Sequence, residues 1–223
     1  MKSFALAMMF VSSLALAQQP PAGNFAPHLA QAQQQRLSAP DASVSLLQQL
    51  ATIDSFSADF QQQVFDDQQQ LLQQGQGRLL LKKVARFRFE AVEPEPVLLV
   101  SDGDNLWFYN EILEQVSIYD AQAQVSQTAF ALLTTTDQTL WQQYQVIEQQ
   151  GIFIIHPLDS NNPVQQLTLA FNDTGISEMT VIDINQQQSV FRFSQAKLNP
   201  AIDDNQFDFS IPEGVDIDDQ RQR

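Results

Sequence analysis

GQGRLLLKKVARFRFE, residues 75–90, reads as a strand, a tight turn and a second strand. Side chains alternate across a strand, so Leu79, Leu81 and Lys83 share one face while Arg78, Leu80 and Lys82 share the other. A turn at Val84-Ala85 reverses the chain. Phe87 and Phe89 then fall on one face, with Arg86, Arg88 and Glu90 opposite. Aromatic residues at strand spacing are most often ordinary core. Lys83 ends the Leu79–Leu81 face. An ammonium there either reaches past the apolar edge to water or donates hydrogen bonds to backbone carbonyls of a segment covering that face. Gly75-Gln76-Gly77 lies inside the strand pattern and by itself binds no phosphate.

The period of two extends in both directions. Upstream, Phe56, Ala58 and Phe60 alternate with Ser57, Asp59 and Gln61, and a polar turn near Asp66-Asp67 leads into the run from Leu71. Downstream come VLLVS (97–101), NLWFY (105–109) and LEQVSIY (113–119), with Asp102-Gly103 as a hairpin signal. YQVIEQ, GIFIIHP, VQQLTLAF, ISEMTVID and QSVFRFSQ repeat the theme between 144 and 195, with turns at Asp173-Thr174-Gly175 and Asn185-Gln186. Two segments differ. Pro40-Asp41 reads as a helix start with Asp41 as N-cap, followed by the stripe Leu46, Leu47, Leu50 and Ile53. Thr128 to Leu133 reads as one or two helical turns. About ten short strands and two small helices predict a single, mainly β domain whose antiparallel sheet curls into a barrel or sandwich.

The first residues are of another kind. Met1-Lys2, an apolar run from Phe4 to Leu16 and small residues at Ala15 and Ala17 predict a signal peptide over 1–17, cleaved after Ala17. Residues 18–40, rich in Gln, Pro and Ala, read as a disordered leader, which leaves 41–223 as the domain. No other run approaches the roughly 20 apolar residues of a membrane span. The chain has no cysteine, so it lacks the residue that would carry a lipid anchor of its own. Its formal charge of −15 (11 basic against 26 acidic residues) argues against nucleic acid and against anionic membrane surfaces.

No nucleophile elbow, P-loop or dinucleotide fingerprint is present, and neither His28 nor His156 has a partner at metal-ligand spacing. No catalytic residue, metal or cofactor is expected. Two scattered carboxylates meeting in space would make a glycosidase pair, which spacing alone does not exclude.

Several segments occur in an order that resembles the LolA family, the periplasmic lipoprotein carriers of Gram-negative bacteria: SFSADFQQ (55–62), GQGRLLLKK (75–83), VSDGDNLWFYN (100–110), LEQVSIY (113–119), WQQY (141–144) and FDFSIPEGVDIDDQR (207–221). The resemblance covers nearly all of 41–223. It implies an incomplete, half-open antiparallel barrel with short helices as a lid over a hydrophobic cavity. It also implies a non-enzymatic periplasmic chaperone for triacylated lipoproteins, loaded by an inner-membrane lipoprotein-releasing ABC transporter and emptied by a LolB-like outer-membrane receptor; a monomer is expected. Leu46, Leu47, Leu50, Leu132 and Leu133 are then candidates for the lid's inner surface, and Phe56, Phe60, Leu79, Leu81, Phe89 and Trp107 for the acyl-lined wall. The family has Lys-Arg-Pro where this chain has Lys82-Lys83-Val84. Lys83 therefore stands at the lid-controlling position without an arginine's planar fork. Phe87 matches an aromatic in a region implicated in transporter docking. Competing expectations are a periplasmic lipoprotein sensor of the same fold, which carries an additional domain, and a secreted β-rich hydrolase.

Overall fold

The computed structural model describes residues 39–124, 128–135 and 137–221. The signal peptide and most of the leader expected from the sequence lie outside them. The first element is helix α1 (Ala39–Ala51). It begins two residues before the Asp41 cap expected from the sequence. Pro40 falls in its first turn, where a missing N–H costs no hydrogen bond.

Eleven antiparallel strands follow: β1 (Ser55–Phe65), β2 (Leu71–Lys82), β3 (Arg86–Glu93), β4 (Val97–Asp102), β5 (Asn105–Asn110), β6 (Gln115–Asp120), β7 (Tyr144–Gln149), β8 (Ile152–Pro157), β9 (Val164–Asn172), β10 (Gly175–Asp183) and β11 (Gln188–Leu198). A short β12 (Asp216–Asp219) runs parallel to β6. All twelve form one sheet in the order β12-β6-β5-β4-β3-β2-β1-β11-β10-β9-β8-β7. Its edges, β12 and β7, are not paired with each other, so the barrel is incomplete. Two more helices, α2 (Ala121–Gln124) and α3 (Ala129–Thr134), lie between β6 and β7. The sequence had suggested fewer elements, because the four-residue β12 and α2 are too short to carry a period.

The two faces of the sheet are covered differently. The inner face, made by Phe56, Ala58, Phe60, Leu79, Leu81, Phe87, Phe89, Leu99 and Leu106 with Phe153, Leu169, Met179 and Phe191, packs in one cluster with α1 and α3. The outer face of β2–β6 lies under the C-terminal segment. There Phe207 is fully buried, at the end of a 3-10 turn spanning Asp204–Phe207, and the Phe209 ring lies 6.0 Å from Trp107 and 5.9 Å from Tyr109. This second cover explains why Leu80, Val100, Val116 and Ile118 are buried although they point away from the inner face. Leu80 was expected opposite Leu79 and Leu81 and is found there, buried like them.

Gly77 sets how the sheet bends. It pairs with Phe60 on β1, beside a register shift between Gln76 and Gly77 against β3. A Cβ at Gly77 would stand 2.0 Å from the Glu90 carbonyl oxygen and 2.7 Å from Phe60 Cζ. The bare glycine lets the Phe60 ring lie across β2 and stack on Phe89, with centroids 4.7 Å apart and planes at 11°.

Candidate functional site

The inner face is a continuous apolar surface covered by two short helices. Helix α3 is six residues long and buried throughout. Thr128 caps it with extended backbone, its Oγ1 accepting from Ala131 N at 3.3 Å. Thr134 Oγ1 turns back to donate to the Phe130 and Ala131 carbonyls, at 3.3 and 3.1 Å. An apolar helix of this length has little stability of its own, so packing holds it in place. Phe130 is the centre of that packing. Its ring lies 5.0 Å from Phe89, 6.0 Å from Phe191 and 6.1 Å from Phe87. Phe191 also meets Phe60 and Phe89 edge-on, at 5.7 and 6.0 Å.

Helix α1 packs along β7 and turns Ala42, Leu46 and Leu50 inward at intervals of four, with Leu47 half-buried beside them. Between α3 and the sheet lies a narrow apolar crevice, where Thr128, Ala129 and Leu132 face Tyr144, Ile155 and Leu167. Burial raises the phenol pKa of Tyr144, and likewise that of Tyr119 near the opposite edge. Among the described residues no charged side chain is buried, and no cluster of His, Asp or Glu has the makings of a metal site.

The polar ties of the two helices converge on the turn between β2 and β3. Lys83 Nζ donates to the Ala51 carbonyl at the end of α1 (3.1 Å) and lies 3.7 Å from the Asp54 carboxylate. Its backbone N–H donates to the Asp54 carbonyl at 2.9 Å. A cation at a helix C-terminus meets the negative end of the helix dipole as well as an orphan carbonyl. Two residues on, the Ala85 N–H donates to the Thr134 carbonyl at the end of α3 (3.2 Å). Of the two uses open to Lys83, the structure takes the second, a hydrogen bond to the segment covering its face.

Leu46, Leu50, Phe56, Phe60, Leu79, Leu81, Phe89, Leu132 and Leu133 all belong to the inner cluster, and Leu47 packs against it. Trp107 and Phe87 are the remaining two expected site residues. Trp107 lies on the outer face beneath Phe209, because Leu106 and Phe108 take the inward parity of β5. Phe87 is only 1% exposed and packs beneath α3 against Phe130. The sequence reading missed Phe130 and Phe191. The alternation of VFRF (190–193) carried a signal for Phe191. Phe130 had none, since a six-residue helix buried all round has no polar face to define a period.

The family described as "Outer membrane lipoprotein carrier protein LolA" matches residues 51–210. An outer-membrane lipoprotein carrier protein from Pseudoalteromonas translucida is 37% identical over 183 residues, which is 81% of this chain and 88% of that one. A protein of the same description from Vibrio vulnificus is 36% identical over 178 residues, 79% of this chain and 89% of its own. Among solved structures, a LolA superfamily protein from Nitrosomonas europaea is similar with a TM-score of 0.45 and 14% identity, covering 75% of this chain and 98% of that one. With a family match over most of its length and relatives this similar along nearly all of theirs, the chain belongs to the LolA family of outer-membrane lipoprotein carrier proteins.

Proposed function

We propose that this chain is a periplasmic carrier that shields the acyl chains of lipoproteins on the inner face of its half-barrel. It is exported by the signal peptide over 1–17, and its domain over 41–223 follows the leader over 18–40. It accepts triacylated cargo from an inner-membrane ABC transporter, delivers it to an outer-membrane receptor of the LolB-like kind, and works as a monomer without a cofactor. The observation that carries this reading is the match between an apolar Phe- and Leu-lined face and a cover held mainly by packing. A lining without buried charge suits binding and not hydrolysis.

The same arrangement supports reversible binding. Each acyl methylene withdrawn from water contributes about 0.8 kcal/mol, so a wholly open apolar cavity would hold three chains almost irreversibly. Here Leu46, Leu50, Phe130, Leu132 and Leu133 already occupy the surface that the cargo would take. Loading exchanges one apolar burial for another, and the net affinity is the smaller difference. Release to a receptor with greater affinity then needs no energy source in the carrier.

Lys83 contributes to closure through Ala51. Lys83→Leu is expected to lose about 1 kcal/mol of closed-state stability and to take up an acyl probe several-fold more tightly. Fluorescence titration with 11-(dansylamino)undecanoic acid checks this. An unchanged affinity contradicts a role in lid control.

The carrier reading is tested with spheroplasts that display inner-membrane lipoproteins and hold an active transporter. Adding the purified protein should bring triacylated lipoprotein into the soluble fraction as a complex with it, and an unacylated cargo variant should not depend on it. No release, in a preparation where another carrier of the family works, removes the reading.

A further inference from the structure

The β2–β3 turn is gripped from both faces of the sheet. On the inner side Lys83 and Ala85 hold the ends of α1 and α3. On the outer side the residues flanking them, Lys82 and Arg86, converge on one carboxylate of the C-terminal segment. Lys82 Nζ lies 2.5 Å and Arg86 Nη1 2.6 Å from Asp204 Oδ1, and Lys82 Nζ also donates to the Ile202 carbonyl at 2.8 Å. Asp204 opens a 3-10 turn that Asp203 caps by accepting from Asn205 N and that Phe207 anchors in the outer face. The hydrogen bonds from Lys82, and next those from Arg86, hold the Asp204 carboxyl below the usual aspartate range. Lys82 is the last residue of β2 and Lys83 the first of the turn, and their ammonium groups reach partners on opposite sides of the sheet, so a backbone shift that frees one displaces the other.

We propose that Asp204 is a positioning residue for the lid. Through Lys82 and Arg86 it fixes the turn from which Lys83 and Ala85 hold α1 and α3, so the docked C-terminal segment biases the lid towards closure. A partner that lifts this segment from the outer face opens the inner one without touching it. The inference rests on the carrier reading only in taking α1 and α3 as the parts that move.

The test is titration of the purified protein with 11-(dansylamino)undecanoic acid. Asp204→Ala is expected to bind the probe about threefold to tenfold more tightly, the size expected for two solvent-screened ion pairs lost together. Arg86→Gln should shift it in the same direction. Asp208→Asn, in the same segment but outside the ion pairs found among the described residues, should leave it unchanged. Salt screens exposed pairs, so the gap between wild type and Asp204→Ala should close towards about 1 M NaCl. A double-mutant cycle separates this route from general loosening. In a Lys83→Leu background, Asp204→Ala should add less than it does in wild type, because the branch through Lys83 is already gone and only the branch through Ala85 is left to loosen. The same fold-change in both backgrounds, or no change in either, overturns the proposal while leaving the carrier reading intact. Failure of the wild-type protein to take up the probe overturns both.

Discussion

Gly77→Val is expected to cost about 3 kcal/mol of stability or more. The added Cβ would stand 2.0 Å from the Glu90 carbonyl oxygen, and backbone in the middle of a paired sheet has no free direction in which to yield. It would also meet the Phe60 ring where that ring crosses β2 to stack on Phe89, so the clash propagates into the surface proposed to bind cargo. Gln76→Val, at the exposed position one residue earlier, should stay within about 0.5 kcal/mol of wild type. Urea unfolding followed by Trp fluorescence checks both. Equal midpoints for the two variants would contradict the role assigned to Gly77.

Phe130→Ala should separate lid from core. Truncating a buried Phe ordinarily costs about 3–5 kcal/mol. Phe130 sits on the cover, so its loss falls mainly on the closed arrangement, and cargo competes with a weaker lid. The expected signature is lower stability together with tighter acyl-probe binding, because the open, competent fraction rises. Phe207→Ala is the matched control: a fully buried ring of the same size, but on the outer face under no proposed ligand. It should lose comparable stability while gaining much less probe affinity, and that gain only by way of the loosened Asp204 turn. Equal gains in the two variants would mean that general loosening, and not removal of a lid contact, controls access.

What the sequence disclosed follows from what a period can report. The alternations at Phe56–Phe60, Leu79–Leu81 and Phe87–Phe89 each mark a face, and all three fall on the same inner face of the sheet. The hairpin at Asp102-Gly103 is present, with Gly103 at φ +105°, and the helical reading of Thr128–Leu133 corresponds to α3 and its cap. A period says which residues share a face but not which face is inner. Trp107, half-buried on the outer face, meets Phe209, some hundred residues away along the chain, and local alternation carries no sign of that. Leu80 and Val100 conceal a second covered face for the same reason. Lys83 was legible as an exception on an apolar face, and its partner in α1 was anticipated only as a class of acceptor. The link from Lys82 and Arg86 to Asp204 joins segments about 120 residues apart and leaves no trace in local pattern.

The most direct test of the account asks which face the acyl chains touch. The photo-crosslinker p-benzoylphenylalanine is incorporated at position 130 or at position 107, and each protein is loaded with triacylated lipoprotein and irradiated. The account predicts an acyl-dependent adduct from position 130 on the lid and none from position 107 on the outer face. An adduct at position 107 with none at position 130 would place the cargo on the wrong side of the sheet and contradict the account.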